Sequence, residues 1–92
     1  MQSKYQDRRG QIKEACNFLN ADAFLVSSLV NVRYLSGFTG SNGLLLISGN
    51  NDFLFTDSRY IEQGREQTCD QITVSLTSGF SAIEEVSRLY SL

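Results

Sequence analysis

Apolar residues recur at two different periods along this chain, and the switches between them mark its elements. From about Tyr5 to Asn20, Ile12, Ala15, Cys16 and Leu19 share one face of a 3.6-residue repeat. Arg8, Lys13 and Glu14 fall elsewhere, so the pattern predicts an amphipathic helix, weakened by about 1 kcal/mol at Gly10. Ala23-Phe-Leu-Val-Ser27 has no polar alternation and predicts a strand buried on both faces. Ser28 to Leu35 predicts a short helix capped by Ser27 or Ser28, followed by a loop from Gly37 to Gly43. Leu44 to Ser48 is a fully apolar strand; Gly49-Asn-Asn-Asp52 supplies turn chemistry, and Phe53-Leu-Phe-Thr56 returns as the second arm of a hairpin. Asp57 or Ser58 caps a helix from about Arg59 to Gln67, and Ile72-Thr-Val-Ser-Leu76 alternates as a half-buried strand. A last helix is capped at Ser81, with Glu84 at capping-box spacing and Ile83, Val86, Leu89 and Tyr90 as its stripe. The predicted fold class is α/β: one small domain with a mixed sheet, a central hairpin and flanking helices.

At 92 residues the chain suffices for one domain. Its net charge of −2 and scattered basic residues exclude an extended nucleic-acid or anionic-membrane surface, and no apolar run is long enough for a membrane helix. Met1 to Arg9 lacks the apolar core of a secretory signal, which leaves a cytoplasmic protein as the expectation and both Cys16 and Cys69 as structural thiols. Histidine is absent. That excludes a histidine general base, a Ser-His or Cys-His pair and a histidine-bearing metal site within these residues. No catalytic residue and no metal ligand is assigned. The pairs Asp52 with Asp57, Glu62 with Glu66, and Glu84 with Glu85 have no partner base or ligand at a useful spacing.

The most unusual stretch is Asn31-Val-Arg-Tyr-Leu-Ser-Gly-Phe-Thr-Gly-Ser-Asn-Gly43. Gly37, Gly40 and Gly43 do not follow a GxGxxG spacing, and Gly43 opens a strand instead of a helix, which disfavours a phosphate cradle. The glycines read as a tight path between a helix and a buried strand, with Gly40 and Gly43 conformational. Asp57-Ser-Arg-Tyr60 sits at a strand-to-helix junction. There Asp57 reads as a cap and Arg59 as its ion partner, with anion binding by Arg59 the weaker reading.

Taken together, this glycine-bearing segment, the apolar strand after it and Phe55-Thr-Asp-Ser-Arg-Tyr-Ile-Glu-Gln63 resemble the creatinase/prolidase N-terminal domain of Xaa-Pro aminopeptidases and Xaa-Pro dipeptidases. The resemblance covers essentially the whole chain; Gly64 departs from the alanine often found after the Tyr-x-x-Gln stretch. It implies that residues 1–92 are a truncated, non-catalytic domain. The parent enzyme would remove an N-terminal residue preceding proline, using two divalent metal ions, usually manganese, in a separate C-terminal domain. It further implies contact with that catalytic domain, a homodimer in the full-length enzyme, and a share in walling the active site, commonly that of the neighbouring subunit. Phe38, Thr39, Ser41 and Asn42 are the wall candidates, because one aromatic and three small hydrogen-bonding side chains suit a peptide, and Arg33 is a weaker one. Gly37, Gly40, Gly43, Asp57, Arg59 and Tyr60 form the structural motif. From a different class, the alternative is a stand-alone peptidase-like module kept for protein binding.

Overall fold

The computed structural model describes residues 4–49, 51–69 and 71–77, together with 81, 84 and 88. Its elements are α1 (Lys4–Phe18), β1 (Ala23–Val26), α2 (Leu29–Ser36), β2 (Leu44–Ser48), β3 (Asp52–Thr56), α3 (Ile61–Thr68) and β4 (Thr73–Leu76). This is the expected order. The apolar stripe expected at Ile83, Val86, Leu89 and Tyr90 lies outside the described residues.

The four strands lie in the order β1-β2-β3-β4. β1 pairs antiparallel with β2, β2 and β3 form the hairpin, and β4 joins β3 in parallel through the α3 crossover. The hairpin is central and almost fully buried, as its unbroken apolar runs require. Side chains alternate across the pleat. Leu45, Ile47 and Leu54 face a core shared with Val26, Val32, Leu35, Phe38 and Ile72, while Leu46 and Phe55 form a second cluster with Ala23, Leu44 and Phe53.

Three expectations need correction. β1 is not buried on both faces: Phe24 and Leu25 remain 47% and 41% exposed, because β1 is an edge strand with a neighbour on one side only. Ala15 in α1 and Leu19 just after it are exposed, and the inward face of the helix carries Arg9, Ile12 and Cys16. Asp57 does not cap α3 directly. That helix begins at Ile61 with Tyr60 in the cap position and no side-chain capping bond, and Asp57 instead orders the turn before it. α2 does begin after Ser28, although the Ser28 hydroxyl makes no capping bond. At Gly64 an added Cβ would lie 3.2 Å from Leu54 and 3.3 Å from Val74, so α3 packs too closely on the sheet for alanine to enter without adjustment.

The burial of Arg9 was not foreseen. Its residue is only 2% exposed. Nε donates to Asp52 Oδ2 at 2.8 Å, Nη1 to the Leu35 carbonyl at 2.9 Å and Nη2 to Gln71 Oε1 at 3.4 Å. One guanidinium therefore joins α1, the end of α2, the start of β3 and the approach to β4. Lys13 Nζ also reaches Asp52, at 3.3 Å, from the more exposed side of the pair. Removing one partner of a buried ion pair leaves the other desolvated and uncompensated. Arg9→Met is expected to lower unfolding free energy by about 3–5 kcal/mol in urea titration. Lys13→Met is expected to cost no more than about 1 kcal/mol. Equal losses would contradict this account of the pair.

Candidate functional site

The loop between α2 and β2 starts from a fixed direction. Gly37 terminates α2 in the left-handed region at φ 83°, and its N–H donates to the Arg33 carbonyl at 2.8 Å. Ser36 Oγ donates back to the Val32 carbonyl at 2.6 Å and accepts the Phe38 N–H at 3.1 Å. These bonds turn Phe38 inward. Its residue is 1% exposed and its ring meets Tyr60 edge-on, with centroids 6.0 Å apart.

The inward turn explains the next two glycines. A Cβ on Gly40 would lie 2.3 Å from Phe38 Cζ, and one on Gly43 would lie 3.0 Å from Phe38 Cε2. Among the described glycines only Gly37 has positive φ, so Gly40 and Gly43 are required by the close approach of the Phe38 ring and not by backbone conformation. Phe38 itself, expected as part of a substrate wall, is core. The ring holds the loop from inside, and the polar residues around it form the rim.

That rim is tied to the strand-to-helix junction. Asn42 Nδ2 donates to Asp57 Oδ2 at 2.8 Å, and Thr56 Oγ1 donates to the Asn42 carbonyl. Asp57 Oδ1 accepts the Arg59 N–H at 2.9 Å and Arg59 Nε at 3.1 Å, while Oδ2 accepts Arg59 Nη2 at 2.8 Å. The Arg59 guanidinium also lies 5.0 Å from the Tyr60 ring centroid. Ser41 Oγ and the Tyr60 hydroxyl are 2.6 Å apart. At the other end, the Thr39 N–H donates to Gln67 Oε1 at 2.9 Å, and Thr39 Oγ1 accepts from Gln63 and Gln67 at 3.1 and 2.8 Å.

The structure thus gathers Thr39, Ser41, Asn42, Asp57, Arg59 and Tyr60 along one rim. Arg33 is exposed on α2 and joins none of these side-chain bonds. The sequence reading quoted Thr56 and Gln63 within the Phe55–Gln63 stretch without giving either a role, and it missed Gln67. The four-residue spacing of the two glutamines on α3 places them on a common face. The rim offers hydrogen-bonding groups and one exposed guanidinium, that of Arg59. Among the described residues no group of three or more His, Cys, Asp or Glu is placed to hold a metal. Histidine is absent from the chain, so no histidine-bearing metal site can be built from its residues.

Arg59, and after it Asn42, hold the Asp57 carboxyl well below the usual carboxylate range. A carboxyl lowered by folding contributes stability that is complete above its ordinary value of 3.8 and lost as pH falls below it toward the folded value. In an acid titration followed by NMR, Asp57 is expected to remain ionised after an unstructured aspartyl peptide has protonated. Arg59→Met should return it toward the ordinary value; an unshifted titration in the wild-type chain would contradict the network. Gly40→Ala is expected to lower stability by about 1–3 kcal/mol through overpacking against Phe38, and an unchanged melting temperature would refute that packing.

Residues 8–90 match the family described as the Creatinase/Prolidase N-terminal domain. The chain is 51% identical over 71 residues to an uncharacterised peptidase of Bacillus subtilis, YqhT, covering 77% of the chain and 18% of that protein. Among solved structures, the N-terminal domain of the cytoplasmic peptidase PepQ from Mycobacterium tuberculosis superposes with a TM-score of 0.71 at 43% identity, covering 76% of this chain and 55% of that one. An Xaa-Pro dipeptidase from Bacillus anthracis superposes with a TM-score of 0.82 at 26% identity, covering 96% of this chain and 24% of that one. The chain therefore spans only about a fifth to a quarter of the longer peptidases it resembles. Its matched residues, mixed sheet and loop identify it as a member of the creatinase/prolidase N-terminal domain family.

Proposed function

We propose that this chain is the non-catalytic N-terminal domain of a metal-dependent Xaa-Pro peptidase, and that residues 37–43 wall an active site carried by the rest of that protein. The parent reaction is removal of an N-terminal residue preceding proline. The two divalent metal ions, manganese by family resemblance, belong in this reading to the C-terminal domain. The observation that carries the proposal is the construction of the loop. Phe38 fills its inside, Asp57 and Gln67 fasten its two ends, and Thr39 and Ser41 remain exposed on the rim. A wall must present polar groups from fixed positions, since misplacement by about 1 Å can cost 100-fold in rate.

Contacts with the catalytic domain and with a second subunit belong to the same proposal. They are supported by apolar side chains left uncovered on β1 and α2, among them Phe24, Leu25, Val30 and Tyr34. Among the described residues no helix is long and apolar enough to cross a membrane.

The isolated chain with Mn²⁺ is expected to show no cleavage of an Xaa-Pro peptide; metal-dependent turnover that follows the purified chain would overturn the non-catalytic assignment. In the full-length enzyme, Thr39→Ala with Ser41→Ala is expected to lower kcat/KM for Xaa-Pro peptides by about tenfold, the loss of roughly 1.4 kcal/mol of transition-state binding, with metal content unchanged. Wild-type kcat/KM in that double variant would leave the domain a purely structural role. Phe38→Ala does not serve this test, because truncating a buried aromatic costs about 3–5 kcal/mol of stability by itself.

A further inference from the structure

Of the six asparagines in the chain, only Asn42 is followed by glycine. An Asn-Gly peptide is chemically labile for a simple reason. The glycine amide nitrogen has no neighbouring side chain to block its attack on the asparagine Cγ. We infer that Asn42–Gly43 is a latent deamidation site, kept intact in the folded chain by the two hydrogen bonds that hold Asn42 to Asp57 and Thr56.

The reaction begins when the Gly43 nitrogen, having lost its proton to solvent base, bonds to Asn42 Cγ. The Cγ–Nδ2 bond then breaks as Nδ2 takes a proton from solvent and leaves as ammonia, closing a five-membered succinimide. Water opens the ring at either carbonyl, giving aspartate or isoaspartate at position 42. No oxidant or cofactor takes part.

The observed contacts restrain the geometry that the first step needs. Asp57 Oδ2 accepts Asn42 Nδ2–H at 2.8 Å, which fixes the side-chain amide away from a free swing toward the Gly43 nitrogen. The same carboxylate places a negative charge beside the carbon where an oxyanion must form, and like charges repel most strongly at such short range. Thr56 Oγ1 donates to the carbonyl of the Asn42–Gly43 peptide itself, so the plane that must rotate during ring closure is held. Gly43 is buried, with Phe38 close enough to crowd even a methyl group there. Unfolding removes all four restraints together.

The product would not be silent. Aspartate at position 42 would set a second carboxylate against Asp57 where an amide N–H now donates, and isoaspartate would lengthen the backbone next to Gly43, which packs against Phe38. The consequence is a loop released from the β3–α3 junction, whatever the role of the rim in catalysis.

The test is peptide mapping by mass spectrometry after incubation in mildly alkaline buffer. Wild-type chain is incubated folded and in urea, and Asp57→Ala is incubated in buffer after circular dichroism has established its fold. Conversion at Asn42 is expected to be at least about tenfold slower in the folded wild type than in urea, and to accelerate in Asp57→Ala. Equal rates in folded and urea-unfolded wild type would overturn the protection. A folded Asp57→Ala chain as slow as the wild type would overturn the role of Asp57. The wild-type comparison stands alone if the variant proves unfolded.

Discussion

The Phe38 ring occupies space that two side chains would otherwise need. With glycine at positions 40 and 43 the loop can close over the ring, and with any larger residue at position 40 it cannot do so unchanged. This steric constraint converts a seven-residue connection, which would otherwise be free to sample many backbones, into a surface with fixed positions. The hydrogen bonds from Thr39, Ser41 and Asn42 to α3 and its preceding turn then operate on a loop already shaped from inside. Such bonds are each worth little alone, about 1 kcal/mol, but they need to select only one of few remaining arrangements.

The elements that carry this loop are held by a different device. Arg9 and Asp52 form an ion pair in a place where an apolar contact would be the simpler choice, and burial makes such a pair weak evidence for stability. Its geometry is specific, however. The guanidinium reaches two further groups, the Leu35 carbonyl and Gln71 Oε1, whose positions relative to Asp52 set the register of α1 against α2 and the hairpin. The left-handed Gly37 follows directly from the Leu35–Ser36 turn that Arg9 grips, so the ion pair and the loop are mechanically continuous.

Much of this could be read from residue order. The unbroken apolar runs at Leu44–Ser48 and Phe53–Thr56, with Gly49 and Asn51 between them, were enough for the central hairpin, and Gly37 and Gly43 bounded the loop correctly. The inside of the molecule was less legible where it is polar. A periodicity argument counts every arginine as a surface residue, so it placed Ala15 and Leu19 inward and overlooked Arg9. It likewise buried Phe24 and Leu25, because an apolar run does not reveal whether its strand lies at an edge. At the rim, the residue types were visible but their partners were not. Gln63 and Gln67 meet Thr39 across more than twenty positions of sequence, and only the fold brings them together.

The central claim is that a rigid loop on a non-catalytic domain meets the substrate of the whole enzyme. Hydrogen exchange of the full-length protein, with and without a non-hydrolysable Xaa-Pro peptide, tests it most directly. The account predicts that amides of residues 39–42 gain protection when the peptide binds, while those of α1 near Asn17 exchange at the same rate in both states. Unchanged exchange across residues 39–42 with the peptide bound would contradict it.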